Sequence, residues 1–254
     1  MSNPQVKTQF SSDQYSSVYP PGMQDNYWIK TRSKLIEGVI RELPESQGLI
    51  LDIGCGPGFA VQHLAQAGFQ CRGVDLGVPE VVSDVAGLID TGILFEQLPR
   101  ELRERVRSVL LLDVIEHLSD PSEMLKSLRQ HLPNLQNVLI TVPARGELWS
   151  NYDEFFGHYL RYSRAGLKAL LDSCDLPIVK IQYFFHALYL PMVLLKLLSR
   201  PRKTSNQPPR PLWLHSLMAR CLLFDARYLP GRLYGASLFA QIRISRESRV
   251  RGHE

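Results

Sequence analysis

The ten residues from Leu49 to Gly58, LILDIGCGPG, constrain this chain more than any other stretch. A short apolar run bounded by glycines reads as a strand buried on both faces of a sheet. Behind it, FAVQHLAQAG sets Phe59, Val61, Leu64, Ala65 and Gly68 at helical spacing, and CRGVDL returns to an apolar run ending in Asp75. The three pieces make one β-α-β unit. Glycine at 54, 56 and 58 frees the turn from the limits a Cβ imposes and leaves bare backbone for a ligand to lie against. Asp75 follows the first glycine by about 20 residues, at the tip of the second strand, where a carboxylate accepts hydrogen bonds from both hydroxyls of a ribose. The turn is therefore a floor, and its expected ligand is a nucleoside.

Dinucleotide folds also combine a glycine-rich turn with a distal acid, but their fingerprint is GxGxxG, with a helix amino terminus facing a pyrophosphate. Here the glycines alternate as Asp52-x-Gly54-x-Gly56-x-Gly58. A carboxylate just ahead of the turn suits a ligand carrying an ammonium and a sulfonium better than one carrying phosphates. At these residues the sequence resembles the class I S-adenosylmethionine-dependent methyltransferases, whose first motif it matches at every glycine. The resemblance implies an α/β, Rossmann-like fold with a mostly parallel sheet and an antiparallel last strand. It implies S-adenosyl-L-methionine as cofactor, admitted by Gly54, Gly56 and Gly58, held at the ribose by Asp75, with Asp52 orienting the turn or the ammonium. A nicotinamide-dependent oxidoreductase and a glycine turn that merely packs a helix on a sheet are the competing readings.

A length of 254 residues suffices for one α/β domain with a sizeable core plus an extension. Lys and Arg number 29 against 25 Asp and Glu, a net charge of +4 that favours no partner. The distribution says more: from Leu176 to Phe224 there is no acid, while Lys196, Arg200, Arg202, Lys203, Arg210 and Arg220 all fall inside. Cys55, Cys71, Cys174 and Cys221 form no CxxC pair and have no His partners at metal-ligand spacing, so reduced thiols in a cytoplasmic protein are expected. The opening MSNPQVKTQFSSDQYSS has no apolar stretch of the signal-peptide kind and is expected to be poorly ordered before Tyr15.

Tyr19-Pro20-Pro21-Gly22 reads as a turn, and Tyr27 to Leu43 as an amphipathic helix with Trp28, Leu35, Ile36, Val39 and Ile40 inward. In the family this helix often covers the cofactor, which makes Tyr19, Trp28 and Arg32 candidates to close the site, Arg32 facing the methionine carboxylate. Ordinary packing and a solvated Arg are the alternative. A third strand is expected near Ile93 to Phe95, and the resemblance makes Glu96 and Asp90 candidates for the adenine amine. SVLLLDVIEHL from Ser108 is another buried strand, with Asp113, Glu116 and His117 at its carboxyl end, where ligands bind in open α/β sheets. Asp-x-x-Glu-His resembles a motif of the ubiquinone-pathway O-methyltransferases, which implies His117 as a general base, or Glu116 and His117 as holders of a divalent cation. Loop-fixing by these two residues is the bland alternative.

A helix over SDPSEMLKSLRQHL and a fifth strand over NVLITVPA follow. The next loop holds Trp149, Tyr152, Asp153, His158, Tyr159, Arg161 and Tyr162, residues too rich in contact chemistry for a mere connector. It is expected to wall an acceptor pocket, with Trp149, Tyr152, Tyr159 and Arg161 touching substrate and His158 a second candidate base; His158 and Arg161 could instead tie the loop to the domain. VPA, LWS and GHYxRY resemble a subgroup with bacterial envelope and polysaccharide functions. IVKIQYF and GASLFAQIRI read as the last two strands, yet roughly 50 residues intervene where a hairpin needs a handful. The chain thus divides into an N-terminal segment and covering helix (1–44), a core (45–184 and 235–246) and a helical insertion (185–234). The insertion is a lid, a dimer interface, or, through 186–220, a contact with an anionic membrane at the inner face. Basic residues interleaved with Leu and Met argue against nucleic acid. The expected activity is methyl transfer to a small-molecule, glycan or lipid-linked acceptor, most simply at oxygen; a non-catalytic cofactor-binding protein that docks on a membrane or partner is the alternative of another class.

Overall fold

The computed structural model describes residues 12–44, 47–198 and 210–244, with the side chains of residues 12 and 13 excepted. The expected disorder ahead of Tyr15 falls largely outside these residues, as do positions 45 and 46, the 199–209 stretch of the insertion, and 245–246 at the end of the expected core. Seven strands form one sheet: β1 (Leu49–Ile53), β2 (Cys71–Asp75), β3 (Ile89–Thr91), β4 (Val106–Leu112), β5 (Asn137–Pro143), β6 (Ile178–Phe184) and β7 (Ser237–Arg243). Their order is β3-β2-β1-β4-β5-β7-β6, parallel except where β7 runs against both β5 and β6. Every residue of β1 and β5 is buried, as a sheet covered on both faces requires.

Helices α1 (Ser12–Val18), α2 (Tyr27–Arg41), α3 (Phe59–Gln66), α4 (Arg100–Arg105), α5 (Pro121–His131), α6 (Asn151–Phe155), α7 (Arg164–Ser173), α8 (His186–Leu197) and α9 (Leu212–Tyr228) surround the sheet. Local chemistry sets their starts. Asn26 accepts a hydrogen bond from the Trp28 amide at 2.9 Å, Asp120 from the Ser122 amide ahead of Pro121, and Ser163 from the Gly166 amide. One face carries a core built by Leu125, Leu128, Leu167 and Leu171 from α5 and α7; the other joins Ile36 and Ile40 of α2, Val61 and Leu64 of α3, and Leu222 of α9.

One expectation shifts. The third strand is Ile89–Thr91, not 93–95, because Gly92 turns left-handed at φ 73° immediately after it. The described part of the insertion forms two helices, and α9 packs along α2: the Thr31 hydroxyl, which donates to the Tyr27 carbonyl at 2.7 Å, lies 3.5 Å from the Ala219 carbonyl, and the Tyr27 amide donates to His215 Nδ1 at 3.3 Å. β1 and β4 are adjacent while their connections run to opposite sides, and that switch point opens the sheet at its carboxyl edge. Two non-glycine residues there hold positive φ, Asp113 at 59° after β4 and Arg145 at 70° after β5, a conformation that concentrates at functional sites.

Candidate active site

A cavity of about 580 Å³ occupies the carboxyl ends of β1, β2 and β4, within the size range of small-molecule sites. Gly54 and Gly56 form its floor. At φ 72° a Cβ on residue 54 would stand 2.8 Å from a Val114 methyl, so both conformation and space demand glycine there. Gly58 is different. It does not line the cavity; it precedes α3, and a Cβ would fall 2.1 Å from Ile89 Cδ1. Its φ of 92° is what requires glycine, with the Ile89 tip close by as a lesser constraint, so the need is set by the backbone rather than by contact with the ligand.

Asp75 is 6% exposed and faces the cavity. Its Oδ2 accepts the Gly56 amide at 2.7 Å, and its Oδ1 accepts the Gly77 amide and the Tyr15 hydroxyl, each at 2.8 Å. The carboxylate is thus pinned to the glycine turn. Oδ2 retains acceptor capacity, whereas a second ribose hydroxyl would compete with Tyr15 for Oδ1. Asp52 lies under the floor, 3% exposed, with Oδ1 buried and without a hydrogen-bond partner. Burial pushes its carboxyl up to about 7; Arg32 opposes that rise and Asp75 adds to it. Asp52 does not itself line the cavity, but an orphaned carboxyl oxygen beneath the turn fits a cofactor that brings an ammonium.

That fit has a consequence. A cationic ligand favours ionised Asp52, so below pH 7 its binding must expel a proton. Affinity for S-adenosylhomocysteine is expected to rise as pH goes from about 5.5 to 7, approaching tenfold per unit at the acid end, and to level off above. Calorimetric titrations across that range check it. A flat profile in the wild type, or an unchanged slope in Asp52→Asn, removes Asp52 from the site.

Arg32 does not face the cavity. Its guanidinium pairs with Asp113 Oδ2, whose other oxygen accepts the Thr141 hydroxyl at 3.0 Å. Burial alone would lower the Arg32 pKa, but Asp113 and Tyr19 outweigh it. A neutralised Arg held away from the cleft is placed to fix Asp113, which does line the cavity, rather than to take a methionine carboxylate. Trp28 likewise turns aside, its ring 4.3 Å from that of Phe185. Tyr19 lines the cleft, and burial raises its phenol pKa well above the ordinary value. Glu96 lines it too, with Oε1 accepting the Ser127 hydroxyl and Oε2 buried without a partner. Asp90 is spent on Arg72 at 2.8 Å, which leaves Glu96 as the remaining adenine candidate.

His117 lines the cavity, and burial, reinforced by His158, lowers its pKa to about 4. The two imidazole rings meet edge to face with centroids 4.7 Å apart. His158 Nδ1 is 2.9 Å from Asp153 Oδ1, the same oxygen that accepts Arg161 Nε at 2.7 Å. Asp153 is fully buried; burial would raise its pKa, yet His158 and Arg161 bring it down to about 2. Glu116 is 1% exposed with both carboxylate oxygens unpartnered, and burial, with Asp113 adding, pushes its carboxyl well above the usual range. Ligand atoms of Glu116, His117 and His158 lie within 4.8 Å of one another, a set able to hold a metal ion.

The expected acceptor wall is less uniform. Arg161 is buried, bound to Asp153 and to the Ala144 carbonyl at 3.2 Å, so it ties the loop down rather than meeting substrate. Tyr159 is mostly exposed, Tyr152 packs against Phe156 with tilted rings 4.2 Å apart, and Trp149 Nε1 donates to Glu154 at 3.4 Å. None of the four lines the main cavity. Sequence reasoning missed Tyr15, whose only signal is its spacing of one helical turn from Tyr19, and the role of Asp153, flagged by the capping box Ser150-x-x-Asp153.

A glycine-floored cleft at the switch point of a 3-2-1-4-5-7-6 sheet, with an acid at the second strand's tip, defines a class I S-adenosylmethionine-dependent methyltransferase. The profile of the family described as "Methyltransferase domain" matches residues 27–181, more than half of the chain, and the protein belongs to that family of enzymes, whose cofactor is S-adenosylmethionine. The ubiquinone biosynthesis O-methyltransferase of Pseudomonas fluorescens is 29% identical over 85 residues, covering 31% of this chain and 37% of that protein. The match thus spans little more than a third of the curated relative's length. Among solved structures, magnesium protoporphyrin IX methyltransferase from Synechocystis, with bound S-adenosylhomocysteine, shares 15% identity over 92% of this chain and 94% of its own, with a TM-score of 0.52. Phosphoethanolamine N-methyltransferase 2 of Haemonchus contortus, in complex with S-adenosylmethionine, gives 14%, 93%, 58% and 0.55 respectively. At such identities the likeness is one of fold.

Proposed function

We propose that this protein transfers the methyl group of S-adenosylmethionine to an oxygen of a small-molecule, glycan or lipid-linked acceptor. The observation that carries the reading is the His117 imidazole at the edge of the cleft, with His158 and Glu116 behind it. Once bound, the cofactor supplies a methyl group on a sulfonium that is already an excellent leaving group. The chain's work is to align the acceptor, exclude water and remove a proton. Asp75, Asp52, Gly54 and Gly56 hold the cofactor against the floor, and Glu96 meets the adenine. His117 faces the acceptor. A hydroxyl oxygen becomes strongly acidic as it gains a methyl group, so a weakly basic imidazole suffices to take its proton. His158, with Nδ1–H donating to Asp153, is the positioning residue for His117 and the alternative base. The partial likeness to an O-methyltransferase supports oxygen as the acceptor atom.

The unpartnered oxygens of Glu116 favour a second reading of the same pocket. Glu116, His117 and His158 would hold a divalent cation, which would lower the pKa of an acceptor hydroxyl beside it.

Release of S-adenosylhomocysteine, followed with phenolic, sugar and lipid-linked acceptors, tests the proposal. His117→Ala is expected to lose at least about 100-fold in turnover while keeping its affinity for the cofactor. Unchanged turnover would remove His117 as the base. Turnover only on acceptors that present nitrogen or carbon would overturn oxygen as the acceptor atom. Activity abolished by a chelator and restored by magnesium or manganese would select the metal-holding form.

A further inference from the structure

No helix among the described residues is long and apolar enough to cross a membrane. Yet α8 and α9 expose apolar side chains that a water-facing pair of helices would not carry. On α8, Leu190, Leu194 and Leu197 follow one another at helical spacing, each more than half exposed. On α9, Trp213, Leu217, Phe224 and Tyr228 are exposed on the side turned away from Ala219, Leu222 and Asp225, which face inward. After Leu198, itself more than half exposed, the sequence up to α9, SRPRKTSNQPPRP, contains no Leu, Ile, Val, Phe or Trp.

Charge identifies the occupant. From Leu176 to Gly235 the sequence holds a single acid, Asp225, and it is hidden: Oδ1 meets His186 Nδ1 at 2.7 Å and Oδ2 accepts the Ala187 amide at 3.2 Å. Lys196, Arg220, Arg227 and Arg232 are all exposed. The insertion therefore offers water apolar side chains, interfacial aromatics and cations, with no exposed carboxylate among its described residues. A second copy brought against this face about a two-fold axis would set cations against cations. Single-stranded nucleic acid could stack on Trp213, Phe224 and Tyr228 but would leave the Leu190, Leu194 and Leu197 stripe of α8 facing water. We infer that the α8–α9 face docks on the surface of an anionic lipid bilayer, its apolar stripes entering the headgroup region and its cations meeting lipid phosphates. The inference stands whether or not the methyl acceptor is itself a lipid.

Co-sedimentation of the full chain with vesicles of phosphatidylcholine containing 30 mol% phosphatidylglycerol, against pure phosphatidylcholine, tests it; those compositions are the probe, at about that fraction of anionic lipid. The wild type is expected to partition about tenfold or more in favour of the anionic vesicles, and less so at 0.5 M than at about 0.1 M salt. Trp213→Ser with Phe224→Ser, Leu190→Ser with Leu194→Ser, and Lys196→Glu with Arg220→Glu should each cut that partition about tenfold. These side chains are exposed, so the thermal melt should not change, which separates lost docking from lost folding. Equal partition on both vesicles, none on either, or indifference to all three double variants would overturn the inference. So would a tight dimer in sedimentation equilibrium that the same variants dissociate, which would give the face to a second copy, or salt-sensitive binding of single-stranded RNA without vesicle binding.

Discussion

Replacing Asp75 with alanine is expected to weaken S-adenosylmethionine and S-adenosylhomocysteine binding by at least about 10-fold, the loss of one ribose hydrogen bond to the carboxylate at about 1.5–3 kcal/mol, the second hydroxyl having to compete with Tyr15. A second cost comes from the floor. The Gly56 and Gly77 amides both donate to this carboxylate, and without it the turn loses the brace that holds Gly56 under the ligand. Asp75→Asn separates the two effects, since its single amide oxygen can brace the turn or meet the ribose but cannot replace both carboxylate oxygens; it should fall between alanine and the wild type. Calorimetry on protein with an unaltered far-ultraviolet spectrum is the measurement, and a loss under fivefold in the alanine variant would move the ribose site elsewhere.

Replacing Asp153 with alanine is expected to destabilise the fold by about 3–5 kcal/mol, because it strands the buried Arg161 guanidinium without its carboxylate. In a chain of this size that corresponds to a fall in melting temperature of roughly 10 °C. The depressed pKa fixes the pH dependence. An acid lowered from 3.8 to about 2 contributes stability that is fully present above its ordinary pKa and is lost as pH falls through the folded value. The gap between the wild type and Asp153→Asn should therefore be constant above pH of about 4 and shrink below it. The loss of the His158 anchor should also appear as lower turnover with unchanged cofactor affinity. If Asp153→Ala melts within 2 °C of the wild type, a margin of about 0.5 kcal/mol, the buried pair is not what ties the loop to the domain.

The cofactor half of the site was legible in the sequence because its signals are local. An apolar run, alternating glycines and an acid at the next strand's tip lie within 27 residues, Leu49 to Asp75, and each residue type answers a need of its own backbone position. What escaped depends on partners far along the chain. Tyr15 reaches Asp75 across 60 positions and Arg32 reaches Asp113 across 81, and nothing near Arg32 indicates that its charge is already matched. Arg161 misled in the same way: a loop Arg beside aromatics looks like a ligand contact until Asp153 is found beneath it. Strand β3 ended early because Gly92 adopts a left-handed conformation that residue pattern alone does not reveal. Gly58 met the motif for a reason of its own, a left-handed backbone conformation ahead of α3.

The seam between α2 and α9 gives the insertion a standing that its position in the sequence hides. α2 presents Ile36 and Ile40 inward and Thr31 towards α9, while Arg32, one residue on, reaches Asp113 at the cleft. A helix from the latest part of the chain thus supports the element that sets the electrostatics of the earliest motif. Excising the stretch between β6 and β7 to recover a minimal domain would uncover one side of α2 and loosen its hold on Asp113. In its described residues the insertion is joined to the domain through α9, which stands one helix, α2, away from the cleft.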